Sequence, residues 1–266
     1  TATRDLDLFH PWALDAERAV EIATRCERAA LSVDRRITNS EGAGVSAQQS
    51  HFFAGNTRGF RGGYASSRHS LSVAPIASLP GKGGDDMQRD AWYSSMRAPS
   101  DLAPAEAVGR YAAERALSRL KSRKIATCEV PVLFESTVAA GLLGAYVHAT
   151  SGGALYRKSS FLLDSLGQTV LPEHIDIHEN PHLMRGKGSA PFDDEGVATR
   201  VRDVVRGGVV QGYFLSTYSA RKLGMRTTGH AGGSHNLTLT SRLTQPGDDL
   251  RAVLKKLGRG LVVTAL

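Results

Sequence analysis

Two helical periodicities enclose a stretch of short strand-like runs in the first half of the chain. The first periodicity follows Asp15, a residue type that caps helix N-termini, and the second follows Pro104. Glycine-rich turn sequences, including Gly55-Asn56 and Gly62-Gly63, punctuate the strand-like residues between them, which are Ser50–Ala54, Tyr64–Ala74 and Trp92–Ser95. This alternation predicts a small helix-flanked antiparallel β domain over residues 1–125, built as helix, β-meander and helix.

The second half of the chain has a different pattern, which begins after a polar linker at 121–126. A short apolar strand at Val130–Phe134 is followed by an apolar helix at Thr137–Ala149, whose glycines at 141 and 144 predict burial and close packing. Residues 162–228, including Val209–Thr217, have the texture of strands and loops, and a last helix ends at Gly258. We therefore expect a β-rich mixed domain at 126–266 and an α+β fold class overall.

Charge and composition exclude several classes of function. The net charge of +7 is spread over both halves of the chain, so nucleic-acid binding is not favoured. No stretch of about 20 apolar residues occurs, so we expect no membrane span. The two cysteines, Cys26 and Cys128, are isolated, and Thr1–Asp7 lacks the apolar core of a secretory signal. These features favour a cytoplasmic protein.

Three histidines at 174, 178 and 182 have a spacing that would align them on a helix and suit a metal. Alternating isoleucines and flanking prolines instead predict a solvated edge strand or loop. Eight residues span about 26 Å in a strand, so the three imidazoles are not expected to meet at one ion.

Two further segments carry groups that could bind or catalyse. His230, His235 and Asn236 surround the pair Gly232-Gly233, where a backbone could approach a ligand closely, and Asp193–Glu195 places three carboxylates in a turn. Each segment also has a purely structural interpretation, as a tight turn with local hydrogen bonds.

Several strings along the chain resemble the TldD/PmbA family of metalloproteases, and specifically its PmbA/TldE branch. The match spans essentially the whole chain. The strings are Asp7-Leu-Phe-His-Pro-Trp12, Arg68-His-Ser-Leu71, Tyr156-Arg-Lys-Ser-Ser-Phe-Leu-Leu-Asp-Ser-Leu-Gly167, Pro191-Phe-Asp-Asp-Glu-Gly196, Thr217-Tyr-Ser-Ala-Arg-Lys-Leu-Gly224, Thr228-Gly-His-Ala-Gly-Gly233 and Gly260-Leu-Val-Val-Thr264. The resemblance implies that residues 1–125 are the family's middle domain and 126–266 most of its C-terminal domain, so that an N-terminal α/β domain and a C-terminal β-rich segment are absent.

The resemblance also implies a cytosolic protease of two related subunits, of which only the TldD-type subunit binds the catalytic zinc through a helix with His-Glu-x-x-x-His. Aligned through Arg157-Lys-Ser-Ser-Phe161, the positions of that motif are Leu142, Leu143 and Val147 in this chain. Aliphatic side chains have no lone pair for a metal and no proton to transfer. We therefore expect a chain without metal or cofactor that is inactive alone, with zinc in a TldD-like partner.

This comparison leaves a main hypothesis and two alternatives. The main hypothesis is a non-catalytic subunit that pairs with a TldD-like subunit or with itself and contacts unfolded peptide. One alternative is an independent zinc metallopeptidase that uses His230, His235 and the Asp193–Glu195 turn, and the other is a modulator of DNA gyrase. Under the main hypothesis, peptide or partner recognition is expected from the segment Thr217–Asn236, through Tyr218, Arg221, His230, Gly232, Gly233, His235 and Asn236. A glycine-rich turn that only stabilises this domain is an equally open interpretation.

Overall fold

The computed structural model describes residues 4–81 and 86–265, which form two compact units. The meander unit comprises Asp7–Phe53 and Gly63–Ile125. The mixed unit comprises Ala54–Gly62 and the described parts of Thr1–Leu6 and Ala126–Leu266. Both contain helices together with antiparallel strands, which confirms the α+β fold class.

The meander unit contains two helices and most of a four-stranded sheet. Its elements are α1 (Ala16–Leu31), β1 (Ile37–Gly55), β2 (Arg61–Leu79), β3 (Asp86–Arg89), β4 (Trp92–Met96), a 3-10 turn (Pro99–Asp101) and α2 (Ala105–Ser118). In this sheet β2 lies between β1 on one side and β3 and β4 on the other. The predicted order of helix, antiparallel strands and helix is therefore present.

The two helices of the meander unit cross at a glycine. As predicted, Asp15 caps α1, and its carboxylate accepts the Arg18 N–H at 2.7 Å. A Cβ atom at Gly109 of α2 would lie 2.2 Å from the Cys26 carbonyl oxygen, so only glycine permits this approach. The core around the crossing consists of small and aliphatic residues, namely Cys26, Ala30, Ile37, Leu71, Val73, Ala77, Ala105, Val108, Ala112, Ala113 and Ala116.

The strands of this sheet are longer than predicted, and Gly62-Gly63 is not a turn. Both glycines lie inside β2, which has 19 residues like β1. A Cβ at Gly62 would lie 2.8 Å from the Phe60 ring, and one at Gly63 would lie 2.4 Å from the Phe53 ring. These glycines therefore make room for aromatic rings. The turn follows Gly55, where the Asn56 side chain accepts the N–H groups of residues 58 and 60.

The mixed unit contains a four-stranded sheet, a two-stranded sheet and four helices among its described residues. Its elements are β5 (Val132–Phe134), α3 (Ser136–Ala149), α4 (Gly152–Tyr156), β6 (Ile175–Glu179), β7 (Arg202–Arg206), β8 (Val209–Val210), α5 (Thr217–Lys222), β9 (Leu237–Ser241), α6 (Leu250–Leu257) and β10 (Leu261–Val263). The larger sheet is antiparallel with the order β8-β7-β6-β9, and β5 pairs with β10 in parallel. Among the described helices, none is both long and apolar enough to cross a membrane.

The prediction of a strand-and-loop texture at Val209–Thr217 is only partly right. The strand ends at Val210, and α5 begins at Thr217. The Ser216 hydroxyl caps this helix and Ser219 reciprocates, so a capping box starts a six-residue helix that hydrophobic periodicity is too short to reveal.

The prediction that α3 is buried on nearly every face is wrong for this chain. Leu142 is 46% exposed, and a Cβ atom at Gly141 or Gly144 would meet nothing within 4 Å. Only the side of α3 that carries Leu143 and Val147 packs, half-buried, against the core of the mixed unit. The helix is apolar all round, but the described chain supplies neighbours for one side only.

Candidate functional site

The most densely connected polar group of the mixed unit is the carboxylate of Glu179 at the end of β6. Glu179 is fully buried, in phase with Ile177 along the strand. Its partner in the register is Arg202 of β7, whose Nε donates to Glu179 Oε2 at 2.7 Å and whose Nη1 donates to the Tyr213 carbonyl at 2.9 Å. The antiparallel pairing therefore places a buried carboxylate and a guanidinium side by side.

Two histidines from the loop before β9 complete this group. The Nε2 atom of His230 lies 2.9 Å and 3.0 Å from the two Glu179 oxygens, and its Nδ1 lies 2.9 Å from the Thr228 hydroxyl. The backbone N–H of His235 donates to Glu179 Oε1 at 2.8 Å, and its Nδ1 lies 3.3 Å from the same oxygen. We call Glu179, Arg202, His230 and His235 the Glu179 cluster.

The charge state of the Glu179 cluster follows from its burial and its hydrogen bonds. Burial alone would raise the pKa of Glu179, but the bonds from His230 and His235 and the charge of Arg202 outweigh it and lower the pKa. Burial lowers the pKa of His230 despite the hydrogen bond to Glu179. At neutral pH the carboxylate is therefore ionised and the His230 ring is neutral, so its Nε2–H can donate to the carboxylate.

The donors of the Glu179 cluster match those of a zinc site in type and spacing. One ligand atom each from Glu179, His230 and His235 lies within 4.8 Å of the others. The Arg202 guanidinium, however, already supplies the cation: it bonds the carboxylate and places Nη2 3.3 Å from His230 Nε2. A metal there would have to displace or repel this guanidinium, so the arrangement fits a hydrogen-bonded ion-pair cluster better than a metal site.

The Asp193–Glu195 turn lies nearby but contributes no carboxylate to the Glu179 cluster. Buried Asp193 accepts backbone N–H groups of residues 195 and 197 and, through Oδ2, that of Ala231. Glu195 accepts the Thr217 N–H at 2.7 Å. Asp193 and Glu195 therefore bind backbone N–H groups. The carboxylate that lies beside His230 and His235 is that of Glu179.

Gly232 and Asn236 hold the loop through geometry and hydrogen bonds. Gly232 has a φ of +104°, and a Cβ there would lie 2.5 Å from the Asp194 carboxylate. Asn236 donates to the Asn180 carbonyl and to Ser189 Oγ at 2.8 Å each, and accepts the Gly188 N–H at 2.8 Å. Both residues are fixed by neighbours within this unit.

The other members of the predicted recognition segment face outward. Tyr218 on α5 is 57% exposed and meets the Tyr156 ring edge-on at 5.7 Å between centroids. Arg221 is exposed on the same helix, and a Cβ at Gly233, with φ +119°, would meet nothing within 4 Å. The segment Thr217–Asn236 thus divides into an inward part with His230, His235 and Asn236 and an outward part that a ligand could reach.

The prediction of an edge strand or loop through His174, His178 and His182 is only partly right. His178 lies in β6, an inner strand of its sheet, whereas His174 and His182 lie in the flanking loops, and the three histidines have separate partners. Their ring nitrogens lie 2.9 Å from Ser241 Oγ, 2.9 Å from an Asp203 oxygen and 3.1 Å from the Thr199 hydroxyl, respectively. Within residues 4–81 and 86–265, three potential metal ligands come together only at Glu179, His230 and His235.

Sequence reasoning missed Glu179 and Arg202 as the centre of the site. The inward direction of Glu179 could be predicted from the sequence, because Glu179 continues the alternation of Ile175 and Ile177 and so faces the core. Arg202 has no such local signal, since only the β6–β7 register makes it a neighbour of Glu179.

The chain matches two models of known domains. Residues 9–120 match the PmbA/TldA metallopeptidase central domain, and residues 127–266 match the PmbA/TldA metallopeptidase C-terminal domain. Among curated relatives, metalloprotease PmbA of Escherichia coli O157:H7 is 48% identical over 98% of the chain, and a PmbA homolog of Haemophilus influenzae is 44% identical over 98%. The chain covers 56% of each, so it spans little more than half the length of these relatives.

Solved structures have the same fold. A Bacteroides thetaiotaomicron protein described as a candidate modulator of DNA gyrase has a TM-score of 0.89 at 27% identity, over 100% of this chain and 59% of its own. TldE from Thermococcus kodakarensis has a TM-score of 0.73 at 17% identity, over 97% of this chain and 62% of its own, and supports the fold alone.

Proposed function

Because this chain belongs to the PmbA/TldA metallopeptidase family, named TldD/PmbA above, we propose that it is part of the metal-free subunit of a two-subunit cytoplasmic protease. In this proposal a TldD-like partner holds the zinc, and this chain helps to bind unfolded peptide. The observation that carries the proposal is α3, where the resemblance, anchored at Arg157–Phe161, puts Leu142, Leu143 and Val147 at the positions of the zinc-binding motif. None of these side chains can ligate zinc or act as a base.

The surroundings of α3 support the same proposal. Leu143 and Val147 pack against the cluster of Ile177, Val204, Val205 and Phe214, which is a hydrophobic core and no place for an ion. The helix leaves its other side uncovered, with Gly141 and Gly144 open to close approach by another chain. Such an uncovered apolar side suits a subunit of an assembly, because another chain can cover it.

The outward part of the segment Thr217–Asn236 is where we place peptide or partner recognition. Tyr218 offers an aromatic face, Arg221 a charge, and Gly233 an open backbone. His230, His235 and Asn236 act in this proposal as its scaffold, because the Glu179 cluster and the Asn180 and Ser189 contacts hold them.

The Glu179 cluster is the one observation that favours the alternative, an independent zinc metallopeptidase. Two imidazoles and a carboxylate are a known catalytic zinc set. Arg202 argues against it, because its Nε already binds the Glu179 carboxylate and its positive charge lies beside His230 Nε2, where it would repel a metal ion. We therefore rank the alternative second.

Metal analysis and peptide cleavage separate the two proposals. The purified chain, incubated with zinc and desalted, is expected to retain far less than one zinc per chain and to leave an unstructured peptide uncut. Adding a TldD-like subunit is expected to give cleavage that increases with the amount of this chain.

His230→Ala and His178→Ala form a matched pair for this experiment. Both remove an imidazole that contacts a carboxylate, but only His230 belongs to the Glu179 cluster. About one retained zinc per chain, lost in the His230 variant and kept in the His178 variant, would replace our proposal by the alternative. Cleavage by the partner that is indifferent to this chain would refute the subunit role.

A further inference from the structure

A cleft of about 580 Å³ opens on the mixed unit where the chain approaches β7. Its lining consists of Val197, Ala198, Arg200, Val201, Arg202, Arg226, Thr227 and Thr228. The volume is within the range of small-ligand pockets. Three arginines and no acidic side chain line it, so the cleft is electropositive.

The three arginines of the cleft are not equivalent. Arg202 is committed to Glu179, which offsets its charge. Arg200 and Arg226 are exposed, and the hydrogen bonds and ion pairs of the described residues include none from either side chain. Two guanidinium groups therefore present unused donors to one cleft, and such groups bind carboxylates in a bidentate manner.

The backbone of the cleft also has unused hydrogen-bonding groups. The N–H groups of Val201 and Arg226 lie outside strands and helices and make no hydrogen bond within residues 4–81 and 86–265. Val197 and Val201 add apolar wall, and Val201 is 48% exposed. Main-chain donors, an apolar wall and cationic groups together suit an extended peptide with a negative charge.

We propose that this cleft binds a carboxylate of an extended peptide between Arg200 and Arg226. The carboxylate of the peptide C-terminus and that of an acidic side chain share this chemistry. The proposal rests on the proposed function only in taking a peptide as the ligand, and it adds a site outside the outward residues Tyr218, Arg221 and Gly233. It requires neither zinc nor a partner subunit.

The test measures binding of fluorescent, unstructured peptides to the chain alone by anisotropy. Three matched peptides differ only in their carboxylate: one has a free C-terminus and no acidic residue, one has an amidated C-terminus and one internal glutamine replaced by glutamate, and one is amidated and has no acidic residue. We expect one or both carboxylate peptides to bind at least about tenfold more tightly than the neutral one. Whichever binds identifies the source of the carboxylate.

Substitutions then place the carboxylate in the cleft. Arg200→Gln with Arg226→Gln should weaken binding of the carboxylate peptide about tenfold or more, while Lys at both positions keeps the charge and should retain part of it. Arg251→Gln, at an exposed position of α6, is the matched control and should not change binding. Thermal melting confirms that each variant is folded.

Two results would overturn the proposal. Equal affinity for all three peptides would show that no carboxylate is recognised. A carboxylate preference that survives Arg200→Gln with Arg226→Gln in a folded chain would place the site elsewhere. Because zinc and the partner are left out, failure of this test leaves the subunit role intact, and failure of reconstituted cleavage leaves the cleft intact.

Discussion

At the scale of single residues, the mixed unit depends on a carboxylate whose partners come from two separate stretches of chain. Glu179 is held by Arg202 from the neighbouring strand and by His230 and His235 from the loop before β9. A buried charge is stable only when it is paired and hydrogen-bonded, and Glu179 meets both conditions. Its role in the fold could be predicted in part, as a polar residue in phase with a buried strand, whereas its partners could not.

Replacing Glu179 should destabilise the chain strongly. Glu179→Gln leaves the half-buried Arg202 guanidinium without its counterion and removes the charged acceptor of His230 and His235, at an expected cost of about 3 kcal/mol in the free energy of unfolding. Asp203→Asn is the control, because Asp203 pairs with His178 at the surface and should cost less than about 1 kcal/mol. Urea unfolding measures both, and equal costs would contradict the assignment of Glu179 as the buried centre.

Acid should destabilise the chain through His230 first and Glu179 second. Burial keeps the pKa of His230 below its ordinary value, so the unfolded state binds more protons and stability falls as the pH drops below about 6.5. The pKa of Glu179 is also lowered, which adds a further loss below about pH 4.3. Each group contributes at most about 1.4 kcal/mol per pH unit.

Urea unfolding at a series of pH values from 8 to 4 measures this loss. His230→Gln should flatten the dependence between pH 7 and 5, while His178→Gln, at an exposed position, should preserve it. A free energy of unfolding that stays constant or rises over that interval would contradict the burial of a neutral His230.

At the scale of elements, helix boundaries followed from local chemistry, but the environment of each helix did not. Asp15 and Gly258 mark the start of α1 and the end of α6 as the sequence predicts. The glycines of α2 and α3 look alike in sequence, and yet Gly109 touches the α1 backbone while Gly141 faces open space. Only tertiary packing separates these cases, since an apolar helix shows no preferred side in its sequence.

Alanine at these two glycines should have effects of opposite sign. Gly109→Ala forces a Cβ to within 2.2 Å of the Cys26 carbonyl oxygen and should cost about 1–3 kcal/mol or more. Gly141→Ala meets no described residue within 4 Å and should add about 0.5–1 kcal/mol, because alanine favours the helix. Thermal melting of both variants checks the pair. Destabilisation by Gly141→Ala in the isolated chain would mean that this side of α3 is covered after all.

Two neighbouring leucines of α3 should differ in how much stability they contribute. Leu143 packs against the core of the mixed unit, so Leu143→Ala should cost about 1–2 kcal/mol, less than the 2–5 of a fully buried leucine. Leu142 is 46% exposed, and Leu142→Ala should change stability by less than about 0.5 kcal/mol. If the two variants unfold at the same urea concentration, Leu143 is not the inward-facing leucine of the pair.

At the scale of the whole chain, the fold class and the order of elements in the meander unit followed from the sequence, because periodicity and turn chemistry are local, whereas α4 and α5 of the mixed unit did not. The composition of the compact units could not be predicted in the same way. The hairpin end at Ala54–Gly62 belongs to the mixed unit, where Phe60 meets Phe192 with ring centroids 5.0 Å apart. No periodicity in either segment predicts a contact between residues so distant in sequence.

This membership of the hairpin end determines what happens when the chain is cut. The polypeptide passes from one unit to the other at residues 6–7, 53–54, 62–63 and 125–126, so a protease that nicks the 121–126 linker leaves three covalent connections. Expression of 126–266 alone would remove the contact of Phe60 with the Phe192 ring, which is 4% exposed. The fragment would then have an exposed hydrophobic patch at Phe192. A soluble fragment of this half should therefore include residues 54–62, joined to it by a linker. The boundary between the two units is not a single point in the sequence.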